Sequence, residues 1–173
     1  MANKTLILGG IRSGKSCYAE LLLKKSSLSV NYIATAKADD EEMRQRIANH
    51  KASRPTNWRV IEEPYALAET LLHYDQAGHI FLVECLTLWI TQLLCLDDDD
   101  RMYTELDAVH NILPTLKAEI IFVSNEVGLG IIPYDKISRR YVDIAGRFNQ
   151  QIAKHVDNVV FVIAGLPHTI KSS

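Results

Sequence analysis

Continuous apolar runs alternate along the chain with stretches of helical period. Residues 5–8, Thr-Leu-Ile-Leu, form an apolar run closed by Gly9 and Gly10, which predicts a buried strand. Residues 15–25 then carry helix-favouring side chains, so the first unit reads strand, glycine loop, helix. Residues 30–34 predict a second strand. The carboxylates of Asp39, Asp40, Glu41 and Glu42 stand where the first turn of a helix reaching about His50 favours them, and Arg54-Pro55 ends that helix. Residues 58–61 predict a short strand, and Pro64 fits a first helical position before residues 65–73. Residues 80–83 predict a buried strand ending at Glu84, and residues 86–96 an apolar buried helix. Residues 97–100, four aspartates, read as a solvated acidic turn, followed by a helix over 103–116 and a strand over 120–123. Ile137, Tyr141, Ile144, Phe148, Ile152 and Val156 keep helical spacing ahead of a strand at 159–163.

Strands that are apolar throughout, interleaved with helices, predict an α/β fold of three layers with a mainly parallel central sheet covered on both faces. Ligands of such sheets bind beyond the carboxyl ends of the strands. With 173 residues, 47% hydrophobic and 23% charged, and no linker or repeat, the chain reads as one domain spanning 1–173.

A formal charge of −2, with 19 Lys and Arg spread along the chain, supplies no basic field for nucleic acid. Cys17, Cys85 and Cys95 form no C-x-x-C pair, which argues against a disulfide framework or a cysteine zinc site and favours a reducing cytoplasm. No signal-peptide pattern opens the sequence and no apolar run approaches membrane-spanning length. The six histidines make no H-x-x-x-H pair, and no G-x-S-x-G elbow occurs, so zinc hydrolysis and serine acyl transfer drop out.

The chemistry concentrates at Gly9-Gly10-Ile11-Arg12-Ser13-Gly14-Lys15-Ser16, which satisfies G-x-x-x-x-G-K-[ST] between a strand and a helix. Such a P-loop turns backbone N–H groups inward at a helix N-terminus and makes a phosphate cradle. Lys15 would reach the β- and γ-phosphates of a nucleoside triphosphate and Ser16 would ligate Mg²⁺. The fold expected is therefore of the P-loop NTPase type. Glu84, at the end of a strand, is placed to hold Mg²⁺ through water as a Walker-B acid does, although acids often end strands. His50, four residues before Arg54, is chemically able to act as a nucleophile beside a phosphate-binding guanidinium; from spacing alone a surface histidine is the more ordinary reading. Asn125-Glu126-Val127-Gly128-Leu129-Gly130 follows a strand and so falls at the ligand end of the sheet, where a plain connecting loop is an equal alternative.

Six ordered blocks resemble the bifunctional adenosylcobinamide kinase/adenosylcobinamide-phosphate guanylyltransferase family: GGIRSGKS at 9–16, YIATA at 32–36, RIANHKASRPTNW at 46–58, VECLTLW at 83–89, SNEVGLGIIP at 124–133, and DIAGRFNQ with AGLP near the end. The resemblance implies that the P-loop binds nucleotide phosphates, that Ala34, Thr35, Ala36, Lys51, Ala52, Ser53 and Arg54 contribute to a GTP site, and that Glu62 and Glu84 are two further acids of it. It aligns His50 with the family's guanylylated histidine. Ile11 stands where the family usually has a smaller residue, and Glu84 where many members have aspartate. The implied reactions are phosphorylation of adenosylcobinamide by ATP or GTP, then GMP transfer from GTP to adenosylcobinamide phosphate, in a cytoplasmic homo-oligomer, trimeric in that family. A small-molecule kinase without the guanylyl step, and a nucleotide-dependent switch, remain the competing readings of the residues themselves.

Overall fold

The computed structural model describes residues 2–37, 41, 44, 45 and 55–172. In chain order the elements are β1 (Lys4–Gly9), α1 (Lys15–Lys24), β2 (Ser29–Ala34), β3 (Arg59–Glu62), α2 (Leu67–His73), β4 (His79–Glu84), α3 (Leu86–Leu94), α4 (Asp99–Ile112), a 3-10 turn (Leu113–Thr115), β5 (Glu119–Asn125), α5 (Lys136–His155), β6 (Asn158–Ile163) and β7 (Leu166–Lys171). One seven-stranded sheet runs in the order β3-β2-β4-β5-β1-β6-β7. All neighbours pair in parallel except β6 and β7, which are antiparallel.

Alternate residues of the central strands feed two separate cores. Leu6, Phe81, Val83, Ile120 and Phe122 face α2 to α5, where Trp89 and Phe148 are buried. Ile7, Ile80, Leu82, Ile121 and Val123 face α1 through Ala19 and Leu23. Because both faces are covered, the strands are apolar throughout rather than alternating, which is the pattern seen in the sequence. No helix among the described residues is long and apolar enough to cross a membrane.

Two expectations change and one further strand appears. The aspartate run begins a helix: Asp98 is the N-cap of α4, its side chain accepting from the Arg101 N–H at 3.0 Å, and Asp99 and Asp100 occupy the first turn. Carboxylates there complement the unpaired N–H groups and the helix dipole. Pro64 is not the first helical residue. Glu63 instead accepts from the N–H groups of Tyr65 and Ala66, both at 2.8 Å, and α2 starts at Leu67. A last strand, β7, pairs with β6 across a two-residue turn in which Ala164 (φ 50°) and Gly165 (φ 79°) both adopt the positive φ that such hairpin turns require. Finally, the helix expected from 39 to about 50 lies mostly outside the described residues.

Candidate functional site

β1 ends at Gly9 and α1 begins at Lys15, so the intervening loop crosses the carboxyl edge of the sheet. Two of its glycines are required by space. A Cβ on Gly9 would lie 2.4 Å from the Val162 carbonyl oxygen, and one on Gly14, at φ 100°, would lie 3.1 Å from Gly165 Cα. The turn between β6 and β7 thus packs directly on the loop, and the Gly165 N–H donates to the Ser13 carbonyl at 2.8 Å. Within the loop the Ser13 N–H donates to the Gly10 carbonyl at 3.2 Å, and Arg12 takes φ 58°. Ile11 is 76% exposed, so the larger side chain at that position points away from the loop instead of crowding it.

Lys15 is buried, and its ammonium donates to the carbonyls of Gly9 at 2.9 Å and Gly10 at 2.6 Å. Burial pushes its pKa below the ordinary lysine value, with Cys85 and Glu84 acting in the opposite direction. A flexible cation folded against its own loop can turn outward to an anion without rearranging the backbone.

Glu84 is where the loop meets the rest of the sheet. One strand, β5, separates β1 from β4, and the first turn of α1 spans that gap: the Ser16 hydroxyl donates to Glu84 Oε1. Glu84 Oε2 accepts from the Tyr32 hydroxyl at 3.0 Å. Glu62, Ala34 and Glu84 stand side by side in register on β3, β2 and β4. Thr35, fully buried, donates a backbone N–H to the Glu84 carbonyl at 3.3 Å, and the Glu84–Cys85 peptide is cis. Burial also pushes the Cys85 thiol up, which keeps it protonated beside the carboxylate.

The structure therefore brings together Gly9 to Ser16, Ala34, Thr35, Ala36, Glu62 and Glu84 along one edge. Asn125 ends β5 opposite Gly9 in register, and the Glu126 N–H donates to the Gly9 carbonyl at 3.0 Å. Both residues of that loop are at the ligand end. His50, Lys51, Ala52, Ser53 and Arg54 lie outside the described residues. Tyr32 and Gly165 stand in two of the resembling blocks, but nothing in the sequence signals their contacts: a tyrosine inside a strand does not show which acid it touches, and an Ala-Gly pair is a weak turn signal.

A hydroxyl and a carboxylate side by side next to a phosphate cradle fit Mg²⁺, a hard cation that takes few protein oxygens and completes its shell with phosphate and water. Among the described residues no group of three or more His, Cys, Asp or Glu could cage a metal by itself. Chemically, the edge is suited to holding a triphosphate by its oxygens and neutralising it.

Solved structures of low identity share the fold. A Pyrococcus horikoshii OT3 protein superposes with TM-score 0.58 at 11% identity, covering 98% of this chain and 86% of that one. The assembled ATPase EscN of the enteropathogenic E. coli type III secretion system gives TM-score 0.58 at 11% identity over 94% of this chain and 43% of that one. At such identity both likenesses are of the fold alone. Curated relatives are far more similar in sequence. The bifunctional adenosylcobalamin biosynthesis protein CobP of Pseudomonas aeruginosa is 53% identical over 168 residues, 97% of each chain. The corresponding protein CobU of Escherichia coli K12 is 39% identical over 96% of this chain and 98% of its own. The family model of cobinamide kinase / cobinamide phosphate guanyltransferase matches residues 5–170, and with relatives 53% and 39% identical over nearly their whole length, this chain belongs to that family.

Proposed function

We propose that this protein phosphorylates adenosylcobinamide and then transfers GMP from GTP to the phosphate so formed, giving adenosylcobinamide-GDP. The observation that carries the reading is the contact between Ser16 and Glu84, which joins the phosphate loop to the acid at the end of β4 in a chain of this family. ATP and GTP both suit the first step, since the cradle reads phosphates rather than bases.

In that step the Gly9–Ser16 loop holds the triphosphate by its N–H groups, and Lys15 turns from its loop carbonyls to the β- and γ-phosphates. Ser16 and Glu84 would hold Mg²⁺, which supplies neutralisation of phosphate charge when bound. The acceptor hydroxyl forms a bond to the γ-phosphorus and loses its proton, while the bond to the bridging oxygen breaks and a nucleoside diphosphate leaves. Positioning and electrostatics do the work, and the protein forms no bond.

The second step uses His50 as nucleophile, as the family resemblance implies. Its neutral imidazole attacks the α-phosphorus of GTP; a nitrogen–phosphorus bond forms and pyrophosphate leaves. A phosphate oxygen of adenosylcobinamide phosphate then attacks the same phosphorus and frees the histidine. Lys51, Ala52, Ser53, Arg54, Ala34, Thr35, Ala36 and Glu62 complete the GTP site in this reading. Incubation with Mg²⁺ and α-labelled GTP is expected to label the wild-type protein, and γ-labelled GTP is not. His50→Ala is expected to lose both the label and guanylyl transfer while retaining phosphorylation of adenosylcobinamide. Full guanylyl transfer by the variant, or a label mapped elsewhere, overturns the assignment.

The same reading extends to a homo-oligomer, a trimer by family resemblance. Its support here is a group of exposed apolar side chains around the loop after β5, Leu129, Ile131, Ile132, Tyr134 and Ile137, which a partner copy would cover. Free cysteines at 17, 85 and 95 support a reducing cytoplasm.

A further inference from the structure

β5 lies between β1, which leads into the phosphate loop, and β4, which ends in Glu84. Its register with both neighbours fixes what stands between those two groups. Gly9 pairs with Asn125, whereas Glu84 pairs with Val123, so β5 runs two residues past the level of the acid. Alternation along the strands then decides the face. Ile7 of β1, Ile121 and Val123 of β5, and Ile80 and Leu82 of β4 all point into the core beneath α1. Continuing each series by two places Asn125 and Glu84 on that same face, where the first turn of α1 brings the Ser16 hydroxyl to the Glu84 carboxylate. Ser124, which is buried, belongs to the opposite face.

The backbone of Asn125 is held from both sides. Its N–H donates to the Thr87 hydroxyl at 2.8 Å, and the next N–H, that of Glu126, donates to the Gly9 carbonyl at 3.0 Å. The Lys15 ammonium donates to that same carbonyl at 2.9 Å. Asn125 is therefore mounted beside the lysine on a pinned strand end, the kind of support that holds a functional group in place. Its side chain is half-buried, and the amide has no hydrogen-bond partner among the described residues. Glu126 differs, because its Oε1 accepts from the Gly128 N–H at 2.7 Å and so shapes its own loop.

From this geometry we infer that the Asn125 side-chain NH₂ donates to a γ-phosphate oxygen of the bound nucleoside triphosphate and stabilises the charge on that group as it passes to the acceptor. The inference rests on the function proposed above. Lys15 and the Ser16–Glu84 pair flank the end of β5, so a γ-phosphate reached from both sides lies over Asn125. An amide suits that place: it offers two N–H donors and brings no negative charge beside the phosphate, as a carboxylate would. A fixed donor aimed at the transferring group also needs no reorganisation during the reaction.

Two variants test this. Asn125→Ala removes the donor, and Asn125→Asp keeps the size and the acceptor oxygen but replaces the donor by a charge. The readouts are titration with ATP and with ADP, kcat for phosphorylation of adenosylcobinamide, and thermal unfolding. For Asn125→Ala, ATP affinity is expected to fall roughly tenfold or more, the scale of a lost hydrogen bond to a charged group. ADP affinity and Tm should stay at the wild-type values, so the preference for the triphosphate shrinks. In both variants kcat is expected to fall by about two to three orders of magnitude. ATP and ADP affinities that fall together mark a structural residue and overturn the inference. Near-normal kcat in Asn125→Asp also overturns it, since the side chain then serves through its acceptor oxygen. In either case phosphorylation by the wild-type protein leaves the proposed function standing. If the wild-type protein does not phosphorylate adenosylcobinamide but Asn125→Ala still loses the preference for ATP over ADP, the function falls and the phosphate contact stands.

Discussion

The hydroxyl of Thr35 bridges the backbone of Cys85, accepting from its N–H at 2.9 Å and donating to its carbonyl at 2.7 Å. Thr35 has no exposed surface, and Cys85 directly follows Glu84, so this clamp sets where the end of β4 holds its carboxylate. Thr35→Val keeps the shape and leaves the Cys85 N–H unpaired, while the Cys85 carbonyl keeps the Trp89 N–H at 3.2 Å. It is expected to lower unfolding free energy by about 1–3 kcal/mol and to weaken Mg²⁺-dependent turnover, with Thr35→Ser restoring much of both. Urea unfolding of the three proteins checks this; a valine variant as stable as wild type would remove the clamp from the account.

Lys15→Ala is expected to lower kcat of both reactions by about two to three orders of magnitude, the scale on which loss of one charged or hydrogen-bonding group at a transferring phosphoryl is felt. The lysine is buried against the Gly9 and Gly10 carbonyls, which keep the N–H groups of Glu126 and Ser13 as donors when it is replaced, so the loop itself stays paired. Rates at saturating nucleotide separate the chemical effect from weaker binding. Near-normal kcat would exclude Lys15 from the transition state.

Glu84→Gln preserves volume and a hydrogen-bonding end for the hydroxyls of Ser16 and Tyr32, but removes the charge that favours a hard cation. The Mg²⁺ concentration giving half-maximal rate is expected to rise by roughly 10–100-fold while thermal stability changes little. A Mg²⁺ titration that overlays wild type would reassign Glu84 to structure alone.

Burial pushes the Tyr141 phenol up to about 12; the Thr87 hydroxyl opposes the shift, and Cys85 and Glu126 add to it. Between the ordinary value of 10 and about 12 the unfolded chain loses this proton and the folded protein keeps it, so stability must fall as pH rises through that window. Below it the contribution is fully present. Tyr141→Phe removes the linkage, and the variant is expected to gain about 2–3 kcal/mol relative to wild type across the window. Denaturant midpoints measured below pH 10 and near pH 12 give the slope directly; equal slopes would show that this phenol does not titrate differently in the folded state.

The phosphate loop was legible residue by residue because its chemistry is local: consecutive backbone N–H groups make the cradle, and the strand before it and helix after it are short-range patterns. The strand-end position of Glu84 was legible for the same reason, since an apolar run shows where a strand stops, whereas Asn125, expected in the loop after a strand over 120–123, is the last residue of β5. The hairpin to β7 was not. Its residues are mostly exposed and include Pro167 on an edge strand, so burial leaves no periodic trace in the sequence. The aspartates at 97–100 were read as a turn because charge runs are usually solvated, and capping chemistry uses the same residues.

By itself, then, the sequence determined an α/β chain with a triphosphate cradle, and its ordered blocks pointed to the family. Only the tertiary structure decided which groups meet. Ser16 and Glu84 are separated by 68 positions, and Thr35 and Cys85 by 50. Periodicity reports burial along one element, whereas a contact between elements depends on strand order and register, and those are set by the packing of the whole sheet.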